Sequence, residues 1–192
     1  GYLEYAHSLR AIADECGIVC NQAHAPFPTG VGTERDEESF QKVVRSLEIA
    51  SVLGAKIIVV HPIHYLYHAK HSEETKQLNL AFYRRLIPYC EKYQIQVATE
   101  NMWRGHRWDR TRIIDSACSR AEEFCEYVDM LDSPWIVGCL DLGHVGLVGE
   151  DMTRIIRALG KKRLRALHIH DVDMLHDSHT LPFLGKMDFE EI

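Results

Sequence analysis

The chain is short of the features that announce the commonest specialised functions. No run approaches the roughly 20 apolar residues of a membrane span, and the opening "GYLEYAHSLR" has no basic-then-apolar secretory layout, which sets the expectation of a cytoplasmic protein without a membrane partner. The six cysteines contain no C-x-x-C pair, so neither a zinc knuckle nor a disulfide framework is indicated. No G-x-G-x-x-G or P-loop follows the first candidate strand, which argues against a nucleotide-binding open sheet. Positive charge is also scarce. A formal net charge of −6 opposes a general polyanion-binding face, because nucleic-acid affinity rests on Lys and Arg neutralising phosphates.

What is present is a globular composition and an excess of histidine. Hydrophobic residues make up 46% of the 192, enough for one sizeable core, so a single domain over 1–192 is expected. The 12 histidines are about twice ordinary usage, which makes their placement the informative question.

Five segments read as short buried strands: 17–24, 55–62, 94–101, 135–142 and 164–171. Amphipathic patterns over 34–53, 72–92, 116–131 and 151–160 read as the helices between them, the first opening on the acidic turn "ERDEE" and the second on the capping pattern "SEET". Strict alternation of this kind implies a parallel sheet covered by helices. The pattern alone leaves a doubly wound sheet and a closed barrel both open.

The strand ends carry the chemistry. His24, His61, Glu100, Asp141 and His168 all fall at or beside the C-terminal end of a strand, which is where (β/α)8 barrels keep their active sites. His144 follows in "CLDLGHVG", His170 lies on the same strand face as His168, and Asp177 and His179 lie in "HDSHTLPFLGK". Taken singly, each has an ordinary explanation: Asp141 caps the next helix, Glu100 pairs with an arginine of "MWRGHRWDR", and a lone histidine is hydrogen-bonded or exposed. Gathered at one rim, the carboxylates need a cation, protons or paired bases. Imidazole and carboxylate donors without thiolate suit Zn²⁺, Mn²⁺, Mg²⁺ or Co²⁺. His64, His68 and His71 read as a solvated loop, and His7, His106 and His176 as surface residues. Trp103 and Trp108 either line a substrate pocket or pack their loop against the sheet.

The ordered motifs "HAP", "VVHP", "TEN", "CLDLGHVGLVG", "LHIHD" and "DSHTLPFLGKMDF" resemble the xylose-isomerase-like TIM-barrel superfamily, from about residue 20 onward. That superfamily holds sugar and sugar-phosphate isomerases and epimerases and the endonuclease IV type of abasic-site nuclease. The resemblance implies a (β/α)8 barrel, incomplete here at five to six βα units, without its first strand and its last strands. It implies Glu100, Asp141 and His168 as metal ligands and His144 beside the metal and the substrate, with Glu100 or a later glutamate moving a proton. A fourth ligand, that later glutamate, would fall beyond Ile192. For the nuclease branch, His24, His61, His144, Asp177 and His179 match further ligands of a three-zinc cluster. The favoured expectation is a metal-dependent sugar isomerase or epimerase in carbohydrate metabolism, binding one divalent ion and acting through a metal-stabilised enediolate. Its partner is then a small sugar or sugar phosphate, with no nucleic acid and with homo-oligomerisation left open. The alternatives are the zinc nuclease and a non-catalytic binding relative.

Overall fold

The computed structural model describes residues 1–109 and 111–190. Helix α1 (Tyr2–Glu15) leads to strand β1 (Ala23–His24), and α2 (Asp36–Val52) follows. Next come β2 (Ile57–Val59), α3 (His68–Tyr93) and β3 (Gln96–Glu100). A hairpin of β4 (Trp103–Gly105) and β5 (Ile113–Asp115) precedes α4 (Ala121–Leu131). The chain continues through β6 (Ile136–Asp141), α5 (Leu142–Val148), α6 (Met152–Arg163) and β7 (Leu164–His168).

All five main strands are parallel, in the order β1-β2-β3-β6-β7, so each helical crossover carries the chain to the next position in the sheet. These are five of the eight strands a closed barrel requires. Among the described residues the sheet therefore has two edges, β1 and β7.

Helices α2 and α3 bury Phe40, Val43, Leu47, Leu80, Phe82 and Leu86 against the outer side of β2 and β3. Helices α4 to α6 bury Phe124, Tyr127, Val145, Ile155 and Leu159 in a second cluster. The opposite face is lined by a third, smaller cluster of Val59, Ala98, Val137, Cys139 and Ala166. Side chains two apart on a strand share a face, so Glu100 stands above Ala98, Asp141 above Cys139, and His168 above Ala166. The register aligns these ends, pairing Glu100 with Cys139 and Asp141 with His168. Small inner residues below and ionisable residues at the strand ends thus follow from period two.

Several boundaries differ from the sequence reading. The 17–24 segment is strand only at Ala23 and His24, because β2 offers it just Ile58 and Val59 as partners, and Ile18 and Val19 stay exposed. Helix α3 begins at His68 but has non-helical backbone at His71, so its regular part opens at Ser72, where "SEET" places a start. The 64–71 segment is not a solvated loop throughout: His68 Nε2 lies 3.3 Å from Glu123 and His64 Nδ1 lies 3.4 Å from Ser116 Oγ, leaving His71 as its exposed histidine. His106 is half-buried, its Nδ1 accepting from the backbone N–H of Asp109, whereas His7 and His176 are exposed as expected. Arg104 of the hairpin donates to the carbonyls of Leu66 and Tyr65 at 2.7 and 3.0 Å, which fastens the hairpin to the loop after β2. No helix among the described residues is long and apolar enough to cross a membrane.

Candidate active site

Glu100 ends β3 at 1% exposure, with imidazoles around it on every side. Its Oε1 lies 3.2 Å from His168 Nδ1 and 3.5 Å from His144 Nδ1, and its Oε2 lies 3.1 Å from His61 Nε2 and 3.7 Å from His24 Nε2. Asp141, equally buried, has His170 Nε2 at 2.9 Å from Oδ1 and His168 Nδ1 at 3.5 Å from Oδ2. The acids of 100 and 141 and the imidazole of 168 are therefore brought to one place.

Asp141 also caps a helix. Its Oδ1 accepts from the backbone N–H of His144 at 2.8 Å, opening α5, so the ordinary explanation, a helix cap, holds. The turn swings the His144 ring back, where Nδ1 donates to the Asn101 carbonyl at 2.8 Å and Nε2 faces Asp177 at 3.4 Å. Gly143 is required by the neighbouring ring: a β-carbon there would collide with His170. His170 is stacked on His179 with ring centroids 3.9 Å apart, and His179 Nε2 lies 3.3 Å from Asp177 Oδ1.

Three sets of side chains each bring ligand atoms within 4.8 Å of one another: His24, Glu100 and His168; Glu100, Asp141 and His144; and His170, Asp177 and His179. Two details within them bear on a cation. His24 Nε2 and His61 Nε2 face each other at 3.1 Å, and Glu100 Oε2, though buried, has no hydrogen-bond partner among the described residues. Imidazole nitrogens and carboxylate oxygens are donors that a divalent cation accepts.

Charge compensation sets the protonation of the site. Burial pushes the Glu100 carboxyl up, yet the neighbouring imidazoles of His168, His24 and His61 outweigh it and hold the group well below the carboxylate range. Burial likewise raises Asp141, and His168 and His170 pull it far below its ordinary value. The imidazoles respond in the opposite sense. His168 is pushed up to about 12 by Asp141, then Cys139 and Glu100. His170 is raised chiefly by Asp141, while in His144 burial lowers the value and Asp177, Asp141 and Glu100 together more than restore it. Just outside, His64 is lowered to about 4 by burial and by His61.

Of the tryptophans, Trp103 packs on the second core cluster with its ring 6.4 Å from His144, and Trp108 is exposed. Two residues that position the site went unread in the sequence. Asn101 is fully buried, and its amide exchanges two hydrogen bonds with the Asp141 backbone, Oδ1 accepting at 2.7 Å and Nδ2 donating at 3.0 Å. Asp171 is fully buried too, accepting from the N–H groups of Val172, Gly185 and Met187 at 2.8, 2.8 and 3.0 Å, which folds the loop bearing Asp177 and His179 back over the mouth. Their signal was position alone, Asn101 directly after Glu100 and Asp171 directly after "HIH".

Comparison with known proteins agrees with this architecture. SgbU of Escherichia coli (strain K12), provisionally named an L-ribulose-5-phosphate 3-epimerase, is 25% identical over 170 residues, covering 85% of this chain and 54% of SgbU. A D-tagatose 3-epimerase-like protein superposes with a TM-score of 0.81 at 20% identity, covering 98% of this chain and 69% of that one. The IolI protein with a bound zinc atom superposes at 0.76 and 21% identity, covering 98% and 68%. The chain spans between 54% and 60% of the length of the curated relatives it matches. The family model described as xylose isomerase-like TIM barrel matches residues 2–192, and the chain belongs to that family.

Proposed function

We propose that the mouth of the sheet binds a divalent cation and serves the isomerisation or epimerisation of a sugar or sugar phosphate. The observation that carries this reading is the convergence on Glu100, which belongs to two of the three ligand sets and keeps one buried oxygen without a hydrogen bond. The names of the relatives, one provisionally a sugar-phosphate epimerase and one an epimerase-like protein, and the zinc in IolI support it.

Glu100, Asp141 and His168, whose Nδ1 lies 3.2 Å from the first and 3.5 Å from the second, would hold the ion, a donor set of carboxylate and imidazole that suits Zn²⁺, Mn²⁺ or a similar ion. When bound, such an ion polarises adjacent sugar oxygens and stabilises the charge left as a carbon-bound proton departs. His144, its ring fixed by Nδ1 on the Asn101 carbonyl, would orient a substrate oxygen through Nε2. Asp177 faces that same nitrogen at 3.4 Å and would share it with the substrate. Glu100, the carboxylate at the centre of these imidazoles, is also placed to move the proton.

A second reading, a zinc-dependent abasic-site nuclease, has one observation in its favour: His170, Asp177 and His179 form a further ligand set beside the first two. Metal analysis of the purified protein separates the readings, with one ion per chain expected for the sugar enzyme and about three zincs for the nuclease. Solvent deuterium should enter a ketose in the first case, and an abasic oligonucleotide should be nicked in the second. Glu100→Gln and Asp141→Asn are expected to lower metal content while folding persists. Wild-type metal content in both variants would overturn the site.

A further inference from the structure

Beside the mouth lies a cleft of about 770 Å³ between the loop after β2 and the β4–β5 hairpin. Its walls include Tyr67 and Lys70 on one side and Arg104, Arg107 and Trp108 on the other, and no carboxylate lines it among the described residues. On a chain of net charge −6, a cleft whose charged side chains are all basic is a local reversal of sign.

Not all of that charge is available. Arg104 is engaged by the carbonyls of Tyr65 and Leu66, and His71 by Glu74 at 2.9 Å. The nearest acid on the hairpin, Asp109, has Oδ1 taken by Thr111 at 2.6 Å. Lys70 has no ion pair among the described residues, and Arg107 has only the Trp108 ring, 4.7 Å from its guanidinium carbon. Trp108 itself is 81% exposed, a large apolar ring that a ligand would cover. Arg104 follows Glu100 by four residues, and Tyr65 follows His61 by four, so each wall begins no more than about 14 Å along the chain from the mouth.

We propose that this cleft receives the oxyanion end of an elongated sugar derivative whose reacting end sits at Glu100 and Asp141, with Lys70 and Arg107 meeting the charge and Trp108 covering the adjoining apolar face. The inference rests on the sugar reading of the mouth and narrows it to anionic substrates. A phosphate ester and a carboxylate share this chemistry, and matched probes tell them apart.

The experiment compares D-glucose, D-glucose 6-phosphate and D-glucuronate by calorimetry and tryptophan fluorescence, with wild-type protein and with a Lys70→Gln, Arg107→Gln double variant. Both positions are exposed, so the fold should survive. One or both anionic probes should bind wild type at least about tenfold tighter than glucose, an advantage reduced by added salt, as expected for charge-assisted hydrogen bonds. Whichever anion binds tighter identifies the oxyanion. The double variant should lose the preference while its glucose affinity and metal content stay at wild-type values. Equal affinity for the neutral and both anionic probes, or a preference that survives the double substitution, overturns the proposal. Absence of metal and of deuterium exchange would remove the catalytic reading and leave the anion preference measurable on its own.

Discussion

Replacing Asn101 with alanine tests whether the end of β6 at Asp141 is tied to the end of β3 by a single amide. In the wild type, Oδ1 accepts from the Asp141 N–H and Nδ2 donates to the Asp141 carbonyl, with Asn101 wholly excluded from water. Alanine leaves both backbone groups buried without these partners. An unsatisfied buried group costs about 1–3 kcal/mol, so the pair predicts a loss of about 2–6 kcal/mol. Urea denaturation reads this directly: with a slope near 3 kcal/mol/M, the midpoint should fall by about 1 M. Function should suffer separately. Partners that orient metal ligands typically contribute 10- to 100-fold in affinity, and metal binding by Asn101→Ala should weaken by about that factor. A stability change below about 0.5 kcal/mol together with unaltered metal affinity would refute the argument, since the Asp141 backbone would then have found other partners at no cost.

Three further outcomes follow from the geometry. His168 is raised to about 12, so in the metal-free protein its proton stabilises the fold below the unfolded value near 6.5 and is lost only as pH rises through the folded value. A metal must displace that proton, and calorimetry at pH 7 in buffers of different ionisation heat should show at least one proton released per ion, with affinity rising with pH; a heat independent of buffer would contradict this. Gly143→Ala should displace the His170 ring, lowering stability by about 1–3 kcal/mol and weakening metal retention, and a crystal structure with His170 unmoved would count against it. Cys16 is exposed whereas burial pushes the Cys90 thiol up to about 12, so iodoacetamide at pH 8 should label Cys16 in native protein and Cys90 only after unfolding, which peptide mapping would check.

The parallel sheet and the rim of ionisable groups were legible because both follow from period two: an apolar run ending in Glu100, Asp141 or His168 puts the polar residue above the inner cluster. The β4–β5 hairpin was not, since strands of three residues are too short to alternate and "WRG" lacks apolar pattern. Helix α5 hid behind Gly143 and Gly146, residues that disfavour helix, and forms because Asp141 caps it and Leu142, Val145 and Leu147 bury. Asn101 and Asp171 stayed unread for another reason. Their partners are backbone atoms brought near by the fold, and main-chain groups leave no residue-specific trace in a sequence. The sharing of Glu100 between neighbouring ligand sets belongs to the same class, visible only once distances exist.

Arg104 grips two consecutive carbonyls of the opposite loop. The two walls on either side of the grip therefore have to travel as one piece: neither can swing outward until both hydrogen bonds break together. Admission of a ligand and its departure become a single mechanical event, so Arg104→Ala should alter how fast ligands come and go well before it alters how tightly they are held.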